Sequence, residues 1–499
     1  MAALPPRLGV RTARALCAAL VAVGVVPLAA RAQGHASPLT LQEAIRRAQE
    51  QGPAAQVARS ARDAARWRDD AFNARLLPQL VLSGDAANLN HAINPIDLPD
   101  GSTQFVGQAQ NQTSLSLGFS QEIPLTGGRV SVGSQMSRID EFGDRSSRLY
   151  QTSPIVVRLE QQLFRPREIV WDKRVQRLDA RVAEQAYLEA REDVARSTAD
   201  AFFNLYAQEV TLRNASTNVA VNDTLYTLNK GRYEVGKIGE NDLLKSELAL
   251  LRARAAVEDA RVARARAEAA LRRAIALPVG AELTIATPDS IPLVDADPEV
   301  AEREALRSSS TMQENALDEV RSRRSIGLAR ANSMFNATVS ASVGFNQTAS
   351  AFGQSYQSPL GRQQLSVGVN MPMVQWGAGR AAVQAAKSDD QRVRTTSKIR
   401  RDALAEDARF SALELQQAQR SAVLAAKADT VAGKQFEVAR NRYVIGKIAN
   451  DALYLAQNEK DQAVLAYVQA LRNYWTSYYY LRRVTLYDFV RKQPLIDAP

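Results

Sequence analysis

Two hydrophobic patterns alternate along this chain, and the first predicts long helices. Four stretches combine alanine and charged residues with spaced Leu, Val and Ile, and they contain neither glycine nor proline: 167–230, 240–277, 380–432 and 447–493. Uninterrupted patterns of this length predict helices far longer than those of ordinary globular domains. Pairs such as Glu268 and Arg272, four residues apart, favour a solvated face. The stretches therefore indicate rods that pack side by side, with most charges at the surface.

The second pattern predicts β-strands. Apolar and small polar residues alternate over 115–123, 335–345 and 365–373, and less regularly over 80–84 and 155–163. Strands of about ten residues with this alternation are typical of an outer-membrane barrel, although a soluble sandwich or a cap of hairpins on the rods is the alternative. Strand edges cannot stay unpaired in hydrocarbon, and one chain has too few strands to close a barrel. A barrel would therefore be shared between copies of the chain.

The chain also contains an internal repeat. RYEVGKI at 232–238 returns as RYVIGKI at 442–448, and LRR at 271–273 returns at 481–483. Such self-similarity indicates one structural unit written twice. We assign the first repeat to 33–285, with strands at about 78–164 and a helical hairpin turning near 236. The second repeat covers 286–499, with strands at about 335–374 and a turn near 446.

The N-terminal 32 residues have the pattern of a secretory signal peptide. Arg7, Arg11 and Arg14 precede an apolar run over 15–30, and ARA at 30–32 fits a cleavage site. An N-terminal membrane anchor is the alternative, but the run is short for a bilayer span. The single cysteine, Cys17, lies within the run. The mature chain would therefore have neither a disulfide nor a thiolate metal site.

Composition and motifs argue against several other functions. The formal net charge of +10 is spread too thinly to argue for a nucleic-acid partner. The chain contains no nucleophile elbow, phosphate-binding loop or HExxH motif. His35 and His91 do not have metal-ligand spacing. We therefore predict no catalytic residues, no metal and no cofactor.

Four motifs carry a family resemblance when they are taken in order. They are LTLQEAIRRA at 39–48, ARLLPQLVLSG at 74–84, VNMPMVQWGAGR at 369–380, and the repeated RYxxGKI followed by NDLLKSELALLRARA at 241–255. Together they resemble the TolC-type outer-membrane efflux proteins, the outer-membrane factors of tripartite pumps, over essentially the whole mature chain. The first motif is also a capping box, with Thr40 as N-cap and Glu43 three residues later.

The resemblance implies an α+β membrane protein: a trimeric outer-membrane β-barrel continued by a periplasmic α-helical coiled-coil barrel. Such a homotrimer would be a passive exit duct of a tripartite efflux or type I secretion system in a Gram-negative bacterium. Its partners would be outer-membrane lipid, a periplasmic adaptor and an inner-membrane transporter of the RND or ABC class. The alternative function is a soluble periplasmic coiled-coil scaffold without channel activity.

The resemblance places the two RYxxGKI turns at the periplasmic tip, where the adaptor docks. Gly236 and Gly446 would allow the chain to reverse, and Lys237 and Lys447 would be displayed beside them. Four residues precede the glycines by about one turn and would either bind the partner or pack between helices. They are Arg232, Tyr233, Arg442 and Tyr443.

Acidic residues after the glycines follow the family in the first repeat only. Asp242 stands at an acidic position of the family, whereas Ala452 and Leu455 stand at the corresponding positions of the second repeat. Asp451, one residue out of register, could substitute. The two repeats therefore differ at the positions that, by this resemblance, would line the closed periplasmic tip.

Two further segments leave alternatives open. Residues 113–140 lie in extra sequence of the first repeat, and they would either add two barrel strands per protomer or form a surface hairpin or loop. Residues 474–489 are rich in aromatic side chains. They would form either an aromatic binding site or, as we expect, helix packing near the level where tunnel meets barrel.

Overall fold

A computed structural model describes residues 38–97, 101–143, 146–278, 280–281, 283–286 and 291–495. The signal-peptide prediction for 1–32 lies outside these residues. Eight helices are described: α1 Leu41–Gln51, α2 Pro53–Arg75, α3 Glu168–Glu234, α4 Glu240–Ala274, α5 Pro298–Ser308, α6 Ser310–Ser333, α7 Ala378–Val444 and α8 Asn450–Thr485. Six strands form the main sheet: β1 Gln79–Asp97, β2 Thr103–Ile123, β3 Gly128–Phe142, β4 Ser147–Leu163, β5 Asn336–Ala349 and β6 Leu360–Asn370. The predicted mixture of long helices and strands is confirmed.

The long helices come in two pairs of unequal length. The helices α3 and α7 have 67 residues each, which corresponds to about 100 Å. Their antiparallel partners α4 and α8 have 35 and 36 residues, which is about half that length. The helices α3 and α7 continue through Gly231 and Gly433, so the predicted ends at 230 and 432 are wrong. The helix α8 ends before the predicted 493, because Leu486 adopts a left-handed conformation with φ of 47°.

The six strands form one antiparallel sheet in chain order, from β1 to β6. The hairpin β2–β3 contains 113–140 and lies between β1 and β4, paired to both. The structure thus selects strands of the same sheet over a surface hairpin or loop. The strand β6 ends at Asn370, so the predicted alternation through Met371 and Met373 stops earlier. Pro372, which has no backbone N–H to donate, follows two residues later.

The sheet has two chemically different faces, because paired residues point the same way and successive residues alternate. One face carries Leu80, Leu82, Leu115, Leu117, Phe119, Val130, Val132, Val157, Leu159, Val343, Leu365, Val367 and Val369. The other face carries Ser83, Ser114, Ser116, Ser131, Thr338, Ser340, Ser342 and Ser366. Every connection to a helix leaves from the same end of the sheet.

The main hydrophobic core lies among the helices rather than under the sheet. Helices α1, α3, α4, α5, α7 and α8 all contribute to it, with fully buried Phe202, Phe203 and Tyr474 among its largest side chains. None of the described helices is both long and apolar enough to cross a bilayer.

The aromatic segment 474–489 packs in this core, but at a different level from the one predicted. The hydroxyl of Tyr480 donates to Asp407 Oδ1 at 2.9 Å. Asp407 lies about 30 residues, or roughly 45 Å, from the sheet-side end of α7. The expectation of packing near the sheet is therefore wrong: α8 is only half as long as α7, so its C-terminal end reaches only halfway to the sheet.

Candidate functional site at the helical turns

The two RYxxGKI turns have the same backbone geometry. Gly236 and Gly446 have φ of 72° and 76°. Their N–H groups donate to the carbonyls of Tyr233 and Tyr443, both at 2.9 Å. The N–H groups of the next residues, Lys237 and Lys447, donate to carbonyls five residues back, both at 2.8 Å. This is the Schellman pattern, which uses a left-handed residue to satisfy the last carbonyls of a helix.

These turns are open to solvent. Gly236, Lys237, Gly446 and Lys447 are all exposed, and a Cβ added at either glycine would meet nothing within 4 Å. The glycines are therefore required by the positive φ and not by lack of space. The two lysines project from the end of the helical hairpins.

The tyrosines that precede the glycines have opposite environments. Tyr443 is 2% exposed, packs against Leu225 and Leu453, and donates a hydrogen bond to Asn229 Oδ1 at 3.3 Å. The guanidinium of Arg232 lies 5.5 Å from the centre of its ring. Burial raises the pKa of Tyr443, and the charge of Arg232 opposes that change. Arg232 and Tyr443 therefore take the packing role, with a cation–π contact between the repeats.

Tyr233 and Arg442 occupy the equivalent positions at the surface. Tyr233 is 42% exposed and Arg442 is exposed. Of the four predicted residues, Arg232 and Tyr443 therefore contact each other within the chain, whereas Tyr233 and Arg442 are both exposed.

The acidic residues differ in the same way. Asp242 is half-buried in the first turn of α4, and its charge contributes, after burial, to the raised pKa of Tyr443. Asp451 is exposed in the first turn of α8. Both carboxylates lie near a helix N-terminus, where negative charge is favoured. Ala452 is exposed and Leu455 is 59% exposed, so α8 presents a less polar surface here.

A polar seam between α3 and α8 was missed from the sequence. Asn218 Nδ2 donates to Asp461 Oδ2 at 2.8 Å, and Gln457 Nε2 donates to Asn218 Oδ1. The seam borders a groove of about 570 Å³ between α3, α4 and α8. The recurrence of Asn214, Asn218 and Asn222 every four residues could have indicated it, since this spacing puts them on one helical face.

Within the described ranges, no three or more His, Cys, Asp and Glu side chains are grouped so as to hold a metal ion. The site consists of a rigid turn, exposed cations and an arginine–tyrosine contact between helices. Such an arrangement is suited to recognising a protein surface.

Comparison with known proteins links this geometry to a family. Residues 129–277, from β3 to just beyond α4, match the family model described as outer membrane efflux protein. The chain is similar to outer membrane efflux proteins over this segment. The resemblance predicted from the sequence is thereby confirmed. No curated protein gives a significant match.

Solved outer-membrane proteins share the fold. The CmeC outer membrane channel of Campylobacter jejuni matches with a TM-score of 0.66 at 14% identity, covering 92% of this chain and 87% of that one. VceC of Vibrio cholerae gives 0.63 at 13%, covering 89% and 95%. The open-state MtrE outer membrane channel of Neisseria gonorrhoeae gives 0.60 at 16%, covering 89% and 88%. The fold of these solved proteins therefore extends over most of this chain.

Proposed function

We propose that this protein is a passive outer-membrane exit duct of a tripartite efflux or type I secretion system. The observation that carries the proposal is the two-faced sheet joined, at one end only, to helical rods about 100 Å long. An apolar face suits lipid and a polar face suits a water-filled lumen. The match to the outer membrane efflux protein family supports the same conclusion.

The sheet requires copies of itself to function in a membrane. The strands β1 and β6 are its two edges, and open edges are too costly in hydrocarbon. We propose that β6 of each protomer pairs with β1 of the next in a homotrimer. With six strands per protomer, the barrel has 18 strands, enough for an aqueous channel.

The helices extend this channel into the periplasm. The helix pairs α3–α4 and α7–α8 lie side by side through a contact between α3 and α8. Three copies would place four helices each around one tunnel, with the repeats 33–285 and 286–499 contributing one hairpin apiece. The outer membrane would hold the sheet, and the periplasm the rods.

The turns form the proposed docking tip for a periplasmic adaptor, which connects to an RND or ABC transporter. Exposed Lys237 and Lys447 would bind carboxylates or carbonyls of the adaptor, and Asp451 would bind adaptor cations. Exposed Arg442 and Tyr233 would instead pack against each other between neighbouring protomers of the trimer. Because the transporter supplies the energy, we propose no catalytic site in this chain.

Bilayer insertion tests the proposal. Purified protein added to a planar bilayer is expected to produce stepwise, ohmic conductance increments, and cell fractionation is expected to recover it with the outer membrane. Recovery in the soluble periplasm without conductance would favour the scaffold function. A trimer with 18 strands is expected in an electron-microscopy reconstruction of the detergent-solubilised particle. Any other strand number would contradict the proposed pairing of β6 with β1 of the next protomer.

A further inference from the structure

On strand β3, the apolar face of the sheet gives way to charged residues toward the end far from the helices. Val130, Val132 and Met136 are followed by Arg138 and Asp140 on the same face. Arg138 is two residues beyond Met136, or about 7 Å along the strand. The cluster therefore lies directly beside the end of the apolar band.

The cluster is a pair of arginines held by one buried carboxylate. Asp140 Oδ1 accepts from Arg138 Nη2 at 3.0 Å and from Arg148 Nε at 2.7 Å. The Asp140 side chain is 12% exposed, whereas those of Arg138 and Arg148 are 40% and 57% exposed. Two cations and one anion leave a net positive charge. Asp140 thus orients both guanidinium groups, while both arginine side chains stay partly exposed.

Aromatic side chains mark the same level of the sheet. Tyr150 pairs with Arg138 across β3 and β4, and its ring centre lies 6.0 Å from that of Phe352, which lies 5.5 Å from Tyr356. Thr152 donates a hydrogen bond to the carbonyl of Ser355 and so holds the β5–β6 connection on this face. Aromatic girdles lie at the membrane–water interfaces of barrels.

We propose that Arg138 and Arg148 bind the phosphate of a phosphorylated glycolipid headgroup in the outer leaflet. This inference rests on the proposed function, because that function places the apolar face in lipid. Guanidinium forks match phosphate oxygens with two parallel hydrogen bonds, and a fork that is already oriented loses less freedom on binding. The adjacent apolar band would hold the acyl chains, so a lipid phosphate has contacts that free phosphate lacks.

The test compares charge-neutral variants of the full-length protein in nanodiscs. In R138Q/D140N/R148Q, both arginines and their carboxylate become neutral together, which avoids leaving Asp140 buried and unpaired. R158Q is the matched control, since Arg158 is an exposed arginine of β4 on the opposite, polar face. The probes are bisphosphorylated lipid A, the same lipid without phosphates, and inorganic phosphate. The readout is the number of lipids retained in native mass spectrometry.

The wild type and R158Q are expected to retain bisphosphorylated lipid A about tenfold more tightly than the triple variant. The dephosphorylated lipid should bind all three equally. Equal retention of bisphosphorylated lipid A by all three proteins would overturn the site, and so would its displacement by inorganic phosphate at equal concentration. Conductance separates this inference from the duct function. If the wild-type protein conducts but does not retain phosphorylated lipid A in preference to the dephosphorylated lipid, only the lipid site is refuted.

Discussion

The hydroxyl of Tyr443 on α7 donates a hydrogen bond to Asn229 Oδ1 on α3, and the two atoms are 3.3 Å apart. Tyr443 thereby joins the second helical hairpin to the first at their common end. The equivalent residue of the first repeat, Tyr233, precedes a turn of the same backbone geometry, but its side chain is 42% exposed. The difference follows from their neighbours, since Tyr443 packs against Leu225 of α3 and Leu453 of α8, whereas Tyr233 lies outside this buried cluster.

This asymmetry leads to a prediction about assembly. In a closed ring of alternating repeats, Tyr233 should meet Arg442 of the partner subunit as Tyr443 meets Arg232 within the chain. The variant Y233C/R442C, treated with a short bismaleimide, is therefore expected to give covalent dimers and trimers on a denaturing gel. The matched control R232C/Y443C should crosslink only within one chain. Monomer bands alone in Y233C/R442C would contradict the ring.

The exposed lysines of the two turns should affect docking. Charge reversal in K237E/K447E is expected to lower adaptor crosslinking and export at least severalfold, because each new glutamate would repel the adaptor carboxylates that the lysine attracts. K398E is the matched control, since Lys398 is an exposed lysine in the sheet-side half of α7, far from the turn. Export measured by substrate accumulation, together with unchanged outer-membrane levels, provides the readout. Normal export by the double variant would show that the lysines face only solvent.

A buried ion cluster should contribute strongly to stability. Arg482 Nε lies 2.8 Å from Glu192 Oε2, and its Nη1 lies 3.0 Å from Asp488 Oδ2, with all three side chains largely buried. Burial by itself would lower the pKa of Arg482, but the charge of Glu192 and the hydrogen bond to it hold that pKa above the usual value. R482M leaves two buried carboxylates without their cation and is expected to cost about 3 kcal/mol or more.

The neighbouring arginine supplies the control for that substitution. Arg483 pairs with Asp193 at 2.8 Å, but both side chains are more than a third exposed. R483M is therefore expected to cost less than about 1 kcal/mol. Thermal unfolding in detergent, followed by circular dichroism, compares the two. Equal losses would show that burial does not set the contribution of these pairs.

The tyrosines of the core predict a loss of stability in alkali. Burial raises the pKa of Tyr474 and of Tyr479 above the ordinary value near 10. A phenol with a raised pKa in the folded state keeps its proton longer there than in the unfolded chain, so stability is complete below pH 10 and falls as pH rises further. The decrease in unfolding midpoint as pH rises above about 10 should be shallower in Y474F/Y479F than in the wild type. Parallel profiles would exclude these two phenols as its source.

Local features of the fold were readable from the chain. Proline-free and glycine-free stretches predicted α3, α4, α7 and α8 because helix continuity depends on backbone chemistry that each residue carries with it. Alternation predicted β5 and most of β6, and the repeated glycines predicted the turns. The exposure of Lys237 and Lys447 followed from their place beside those turns.

Contacts between segments that are distant in the chain could not be predicted in this way. Only the fold decides that 113–140 pairs with both β1 and β4, because strand register depends on partners far along the chain. Only packing makes Tyr443 buried and Tyr233 exposed, since two nearly identical local sequences meet different neighbours. The level of 474–489 likewise depends on which residues of α7 face α8. Sequence thus determined the elements and their turns, whereas tertiary contacts decided which of their side chains are buried and which remain free to bind.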